Sequence, residues 1–189
     1  MEKKVIFYDN NGNMCYAIID VSDTVIIIKG YDEVGRETSF LKLLLKENIW
    51  YIDYLVCFEQ YRNKGIATAL LNLVDYILKD YNGFIYGKYS PCDDSIPDEK
   101  LDEITNSFYV KNGYTVIPKK DFLENTSNYP ELSEKDFEKT KEKFGHSIVF
   151  KRNIKKQNYR FIENDNILME IEGWKNDIND IDFGINQSI

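Results

Sequence analysis

An α/β fold built on a central mixed sheet is predicted by three features of this 189-residue sequence. The first third of the chain contains a series of short strand-like segments, each ended by a turn signal. A segment with helical apolar spacing follows Gly65, and strand-like and helix-like segments alternate after it. The length suits one domain with its own core. We therefore expect a sheet of about six or seven strands that packs against two core helices.

The strand-like segments of the first third follow one another without an intervening helix. The first two, KVIFYD and MCYAIID, flank NNGN, in which Asn and Gly tolerate the positive φ of a hairpin turn. The next three are TVIIIKG, TSFLKLLL and IWYIDYLVCF. FLKLLL is ambiguous, because its Leu and Lys residues also suit a helix. Consecutive strands joined by short turns predict an antiparallel meander.

The first predicted helix begins near Gly65 and extends to about Asp80, where the pair Asn82-Gly83 is a stop signal. Its apolar face consists of Ile66, Leu70, Leu73, Val74 and Ile77. The next segment, FIYGKYS, is strand-like. The pattern therefore changes from strand to helix and back to strand within a short stretch of chain.

The second predicted helix covers EKLDEITNSFYVKN. Leu101, Ile104 and Phe108 lie on one face of it, and Gly113 marks its end. YTVIP and HSIVFKR are the last two strand-like segments.

Two segments fall outside this pattern. The polar insert at residues 119–145 has a capping-box signal and predicts a short surface helix. Residues 153–189 are expected to form a C-terminal extension with a small hairpin and a mobile end. Residues 1–152 are thus predicted to form one catalytic or binding domain.

Charge and composition exclude several functional classes. The net charge of −8 disfavours extended nucleic-acid binding through a broad basic surface. No stretch is apolar enough to cross a membrane, and MEKKVIFYDNNGNM lacks the apolar region of a signal peptide. We therefore expect a cytoplasmic protein without a membrane partner.

The three cysteines have no metal-ligand spacing. Cys15, Cys57 and Cys92 form no CxxC pair, and the single histidine, His146, is distant from them in sequence. A nucleophilic thiol needs an adjacent activating base, and none is visible. We expect free thiols, no metal site and a structural role for His146.

The stretch YRNKGIATALL connects a strand-like segment to the first predicted helix. Gly65 lets the chain approach a ligand closely, and the N–H groups of the first helical turn favour an anion such as a phosphate. Arg62 and Lys64 add positive charge to an acidic chain. An ordinary strand-to-helix turn explains the same residues, since single glycine-rich patterns are common.

Two longer segments resemble the signature of the GNAT family of N-acetyltransferases. IDYLVCFEQYRNKGIATALL is similar to the family's strand, its R/Q-x-x-G-x-G/A turn over Arg62–Ala67 and its following helix. SFYVKNGYTV, later in the chain, resembles the family's FYEKLGF segment at the expected order and spacing. The resemblance covers Ile49–Ile117 and implies a GNAT-like acyl-CoA N-acyltransferase fold.

The resemblance implies acetyl-CoA as the donor substrate, without a metal. The backbone N–H groups that would hold its pyrophosphate are those of Arg62, Asn63, Lys64, Gly65, Ile66, Ala67 and Thr68. The backbone of Leu55, Val56 and Cys57 would pair with the pantetheine arm like an added strand. A splay between the strand at Cys57 and the strand at Tyr86 would make room for it.

Two catalytic residues are carried over from the same motifs. Tyr109 matches the tyrosine that protonates the leaving thiolate, a task suited to a side chain that is protonated at neutral pH. Asp53 matches the acidic residue of the family's IEYL strand, and regular alternation places it on the face of Leu55 and Cys57. Asp53 is either the base that accepts the amine proton or a group that only attracts a cationic acceptor.

The chain departs from the family pattern at the acceptor side. The family's pair of helices after the first strand is absent from the pattern, and Asp102 replaces an asparagine at the start of the later helix.

A second resemblance concerns the segment YGKYSPCDDSIPDEKLDEITNSFYVKNGY, which is similar to a compact group of phage anti-CRISPR acetyltransferases. Asp93 and Asp94 in this segment suit a turn or helix cap, and equally the lining of an acceptor cleft.

Three functions follow from these resemblances. The leading one is acetyl transfer from acetyl-CoA to a primary amine, with a cationic acceptor favoured by Asp53 and the acidic chain. The second is acetylation of a protein lysine, including one on a host defence protein. The third is a non-catalytic acyl-CoA-binding or interaction module, and any of the three could act as a homodimer.

Overall fold

The computed structural model describes residues 2–46, 49–81, 84–89, 96–118, 124, 127 and 148–153. The chain divides into two compact units. Of the described residues, the first unit holds 2–46 and 49–81, and the second holds 84–89, 96–118, 124, 127 and 148–153.

The first unit contains the predicted antiparallel meander, which is confirmed. Its strands are β1 (Glu2–Tyr8), β2 (Met14–Val21), β3 (Val25–Asp32), β4 (Glu37–Lys46) and β5 (Ile49–Cys57). Each strand pairs antiparallel with the next one along the chain. The ambiguous FLKLLL run is part of β4, because its backbone pairs with β3 on one side and β5 on the other.

The helix of the first unit, α1 (Ile66–Ile77), packs against β3, β4 and β5. Ile26 and Ile28 of β3, Leu41 and Leu43 of β4 and Leu70 of α1 are fully buried. Complete burial of one such side chain contributes about 1.5–3 kcal/mol. This core fixes the start of α1 relative to the end of β5, where the predicted site lies.

A close approach between α1 and the sheet occurs at Gly30 in β3. A Cβ atom at Gly30 would collide with the Ser39 hydroxyl and would lie 3.5 Å from Leu70 Cδ1. The strand register also shifts between Gly30 and Tyr31, which marks a β-bulge against β4. The small residue therefore allows the helix to lie close to the strands that carry the site.

Helix α1 ends earlier than the sequence predicts. Leu78 is its C-cap, and the next residues form a turn in which Lys79 N–H donates to Tyr76 O and Tyr81 N–H donates to Leu78 O. These shorter bonds tighten the last turn and end the helix before Asp80. The predicted stop signal at residues 82–83 lies outside the described residues.

The second unit contains three described strands and one helix. These are β6 (Phe84–Tyr89), α2 (Asp98–Lys111), β7 (Thr115–Pro118) and β8 (Ile148–Asn153). Strand β8 pairs antiparallel with both β6 and β7, and α2 packs on β7. The described strands of both units number eight, more than the six or seven predicted, since the ambiguous run in β4 is a strand.

Helix α2 ends as predicted at a glycine. Gly113 has a φ of 77°, and the Asn112 side-chain amide donates to the Phe108 carbonyl at 2.8 Å. The predicted apolar face is only partly correct, because Ile104 is 47% exposed whereas Tyr109 is 5% exposed. The buried face of α2 is therefore the one that carries Tyr109, and Ile104 lies on an exposed face.

Several predictions concern segments that the structure does not describe. The insert at residues 119–145 is described only at Glu124 and Ser127, and residues 154–189 lie outside the described part. The predicted boundary at residue 152 and the predicted splay, which concerns strands of both units, stay predictions.

Candidate active site

The turn between β5 and α1, residues 58–65, has the backbone conformation of an anion site and is called the anion turn below. A 3-10 turn covers Glu59–Tyr61, after which Asn63 and Gly65 have positive φ values of 61° and 77°. Gly65 is the N-cap of α1, and no side chain caps this end. A left-handed residue followed by a helical one directs successive N–H groups into one concavity. The N–H groups predicted to hold a pyrophosphate are therefore in an arrangement suited to an anion.

Two cationic side chains belong to the same turn. Arg62 donates from Nε to the Cys57 carbonyl at 3.3 Å, which links the turn to the last residue of β5. The Lys64 ammonium lies 5.3 Å from the centroid of the Tyr61 ring. The positive end of the α1 dipole and these two charges favour an anion at the turn, in which Glu59 is the one acidic residue.

The β1–β2 hairpin turn, residues Asp9–Asn13, packs against this anion turn. Asn10 N–H donates to Lys64 O at 2.9 Å. A Cβ atom at Gly65 would collide with the Asn10 side chain. Because the exposed Asn10 side chain can move aside, glycine is favoured at position 65 chiefly by its left-handed backbone.

A second contact links the anion turn to the end of β3. The Tyr61 hydroxyl donates to Asp32 Oδ2 at 2.9 Å, and Asp32 also accepts from Arg36 Nε at 2.7 Å. Burial would raise the pKa of Asp32, but the backbone N–H and guanidinium of Arg36 and the Tyr61 hydroxyl outweigh it and lower this pKa. The sequence analysis missed this pair, because Asp32 and Tyr61 are separated by 29 residues.

Stability should depend on pH through Asp32. Because its pKa is lower in the folded chain than in the unfolded one, its stabilising effect is present above about pH 4 and disappears as the pH falls through the folded value. We expect Asp32→Asn to lower the free energy of unfolding above about pH 4, and this difference from the wild type to shrink in more acidic solution. Urea unfolding at several pH values measures it.

The exposed Asp23 in the β2–β3 turn provides the control. Asp23→Asn removes the same charge without removing a buried hydrogen bond, so its effect on unfolding should be much smaller at every pH. An effect of Asp32→Asn that stays constant down to strongly acidic pH would contradict the assignment.

A β-bulge interrupts β5 at the predicted acidic residue. Leu43 of β4 pairs with Ile52, whereas the adjacent Lys42 pairs with Tyr54. Asp53 is therefore the extra residue on β5. Both Asp53 and Tyr54 are exposed, in contrast to the buried Ile52.

The bulge changes the face that Asp53 occupies. Leu55 pairs with the fully buried Leu41, so Leu55 and Cys57 face the core. Asp53 instead forms an ion pair with Lys42 on the opposite face, with Oδ2 2.9 Å from Nζ. The prediction that regular alternation places Asp53 beside Leu55 and Cys57 is wrong, because the extra residue shifts the alternation by one.

Tyr109 lies in α2 of the second unit. Its ring centroid is 5.1 Å from that of Phe108 and 5.5 Å from that of Tyr114, both in edge-to-face geometry. Burial raises the pKa of Tyr109 above its usual value, so the hydroxyl keeps its proton at neutral pH. Asp53 and the anion turn belong to the first unit. The joint action of these groups with Tyr109 stays a prediction.

The described cysteines have the properties of unreactive thiols. Burial, followed by the charges of Asp9 and Asp32, raises the pKa of Cys15 to about 12. Burial also raises the pKa of Cys57, although Arg62 and Lys64 act in the opposite direction. Both thiols are free.

Other residues considered in the sequence analysis cannot be placed. Cys92, Asp93, Asp94 and His146 lie outside the described residues, as do residues 90–95 of the segment that resembles anti-CRISPR acetyltransferases. None of the described helices is long and apolar enough to cross a membrane.

Comparisons with known proteins identify similar structures but no similar sequences. No protein-family model matches the sequence, and no curated protein matches it either. A GNAT-family acetyltransferase from Staphylococcus aureus is 19% identical, with 69% of each chain covered and a TM-score of 0.49. The PaiA N-acetyltransferase from Thermoplasma acidophilum, solved with coenzyme A, is 14% identical, with 69% of this chain and 61% of that chain covered and a TM-score of 0.44.

An acetoin utilization protein from Exiguobacterium sibiricum is also similar in structure. It is 12% identical, with 72% of this chain and 63% of that chain covered and a TM-score of 0.50. At such identities the similarity concerns the fold alone. The α/β fold that the sequence predicted is confirmed, and the chain shares it with this Exiguobacterium protein.

Proposed function

We propose that this chain is an N-acetyltransferase that moves an acetyl group from acetyl-CoA to a primary amine. The observation that carries the proposal is the left-handed Gly65 at the uncapped start of α1, directly after β5. Arg62 and Lys64 supply positive charge at this point, and the fold is that of acyl-CoA N-acyltransferases. We therefore assign this turn to the binding of the diphosphate of a coenzyme A ester, rather than to a strand-to-helix connection without a ligand.

The reaction divides into roles for residues of this chain. Backbone N–H groups of Arg62–Thr68 bind the pyrophosphate, and the backbone of Leu55–Cys57 orients the pantetheine arm. The acceptor amine attacks the thioester carbonyl, so that the C–N bond forms and the C–S bond breaks. Tyr109 gives its proton to the departing thiolate. The proton lost by the amine passes to Asp53 or to water.

The acceptor in this proposal is a cationic amine. Asp53 is exposed next to the strand segment assigned to the pantetheine arm, and it already pairs with a cation, Lys42. An acceptor ammonium would replace or join Lys42 at this carboxylate. The net charge of −8 also attracts cations from solution, and salt weakens that attraction.

Asp53 and Lys42 should have opposite effects on acceptor binding. We expect Asp53→Asn to raise the acceptor KM about fivefold, which corresponds to the loss of about 1 kcal/mol of ion pairing. Lys42→Gln removes the competing cation and should lower the same KM. A fall in kcat for Asp53→Asn would identify Asp53 as the proton acceptor. Steady-state kinetics at two ionic strengths measures these effects, and equal KM values for all three proteins would contradict the assigned role of Asp53.

The proposed activity is tested by thiol release from acetyl-CoA. The acceptor panel contains polyamines, aminoglycosides, lysine peptides and neutral and acidic amino acids. Turnover with polyamines, aminoglycosides or lysine peptides supports the proposal. Turnover with neutral or anionic amines alone would overturn the cationic acceptor. Tight acetyl-CoA binding without turnover on any amine would instead indicate a non-catalytic acyl-CoA-binding module.

A further inference from the structure

The sheet of the first unit has two faces, and α1 lies on one of them. A Cβ atom at Gly30 would lie 3.5 Å from Leu70 Cδ1, so Gly30 is on the α1 face. Val5 is in register with Gly30 across β2, and neighbours in a strand point to opposite faces. Lys4 and Ile6 therefore belong to the opposite face, which we call the outer face. On β1, β2 and β3 the outer face includes Lys4, Ile6, Tyr16, Ile18, Asp20 and Lys29.

The outer face of β1 is buried, although β1 is an edge strand. Ile6 is 1% exposed and Lys4 is 6% exposed. Strands of the same sheet lie beside these side chains, and a sheet face is buried only when another layer packs on it. Of the described elements, only β2 packs extensively against β1, and it does so within the sheet. A further segment must therefore cover the outer face at β1.

The covering segment belongs to this chain, because these side chains are buried in a single copy of it. Residues 128–147 and 154–189 are the two long stretches outside the described part. The first is dominated by the charged run EKDFEKTKEKF. Residues 161–189, which we call the C-terminal segment, contain the apolar run ILMEI and further Ile, Trp and Phe residues. Only the C-terminal segment is apolar enough to bury a sheet face.

We propose that the C-terminal segment docks on the outer face of the sheet and covers β1 and β2. Its apolar side chains pack on Ile6 and on Ile18, which is half-buried on the adjacent strand. The cover protects the apolar outer side of an edge strand from contact with other chains. This inference does not depend on acetyl-CoA binding.

The charges of the two surfaces fix the orientation of the docked segment. The C-terminal segment contains many acidic residues and a single basic one, Lys175. Lys4 Nζ lies 3.7 Å from the centroid of the Tyr16 ring, and a carboxylate of the segment beside it would stabilise this buried cation further. The exposed Lys29 is in the same row of the outer face, whereas the exposed Asp20 would repel the segment at the end of β2. The acidic residues should therefore lie toward the two lysines.

Carbodiimide cross-linking of the full wild-type chain tests the docking, because the reagent joins lysine amines to carboxylates in contact with them. Lys29 is exposed on the outer face, and the exposed Lys3 on the α1 face of β1 is the matched control. Mass spectrometry should find links from Lys29 to the C-terminal segment and lose them at Lys3. Equal yields at both lysines, links from Lys29 to residues 119–147 instead, or no links at all would overturn the proposal.

A mixture of isotope-labelled and unlabelled chains shows whether the links are within one chain. We expect links only between residues of the same isotopic composition. Links between labelled and unlabelled chains would mean that a second copy covers the outer face, which contradicts the proposal.

The fluorescence of Trp174 provides a second test in the full chain. Trp50→Phe leaves Trp174 as the single tryptophan, and circular dichroism checks that this parent variant is folded. Adding Ile18→Asp places a charge among the apolar contacts and repels the acidic segment, so Trp174 emission should shift to longer wavelength. Val34→Asp, at a residue that is 68% exposed, adds the same charge and should cause no shift. A solvated Trp174 in the folded parent, or equal emission in both aspartate variants, would overturn the docking.

Discussion

Gly65→Glu should weaken acetyl-CoA binding at least about 10³-fold through charge repulsion, which takes it below the measurable range. The new carboxylate would lie at the start of α1, where the pyrophosphate is expected to bind, and would repel it. The side chain would also require a left-handed backbone and would displace Asn10. Calorimetric titration with acetyl-CoA measures the loss, and circular dichroism shows whether the variant is folded.

The matched control is Gly65→Gln, which has the same size and the same backbone strain without the charge. A folded glutamate variant with wild-type affinity would contradict the assignment of the anion turn. Equal losses in both variants would show that the shape of the turn, rather than charge repulsion, determines donor binding.

Tyr109→Phe should lower kcat by about 10²–10⁴-fold at saturating substrates and leave acetyl-CoA affinity unchanged. The substitution removes only the hydroxyl and keeps the ring contacts with Phe108 and Tyr114. Burial raises the pKa of Tyr109, which makes it a weaker acid than an exposed tyrosine. The lower half of this range is therefore expected. Stopped-time assays of thiol release measure kcat.

Tyr114→Phe is the control for the loss of a buried tyrosine hydroxyl from the same aromatic cluster. Tyr114 is 3% exposed, so a comparable effect of both variants would indicate a general change of packing. Because the pKa of Tyr109 is raised, its proton stays in place through mildly alkaline pH, and wild-type kcat should show no alkaline fall due to this group below about pH 10. An undiminished kcat for Tyr109→Phe would mean that water or another group protonates the thiolate.

The sequence predicted the elements of the first unit because its local signals agree with one another. NNGN lies between two apolar runs, and the structure has a hairpin there with Gly12 at a φ of 78°. The apolar spacing after Gly65 predicted α1, and the packing of Leu70 and Val74 into the core confirms it. Turn chemistry and helical periodicity are properties of neighbouring residues, so they can be read without knowledge of tertiary contacts.

The details of the candidate site depend on contacts between distant residues, which a single sequence does not reveal. The bulge at Asp53 is a property of the register between two strands, and nothing in IDYLV shows it. The bond between Asp32 and Tyr61 and the contact of Asn10 with Gly65 join segments that are far apart in the chain. Ile104 was predicted to be buried because helical periodicity gives the relative positions of residues, and the surrounding fold decides which face is covered.

The bulge in β5 allows two adjacent side chains, those of Asp53 and Tyr54, to be replaced without a change in the core. In a regular strand two adjacent residues point to opposite faces, so a change of two neighbouring side chains always alters the core. Asp53 and Tyr54 are adjacent and both exposed, whereas Ile52 before them and Leu55 after them keep their buried partners on β4. Both exposed residues can therefore be exchanged together, which changes the charge and size of the surface beside the end of β5, while the buried partners of Ile52 and Leu55 stay the same.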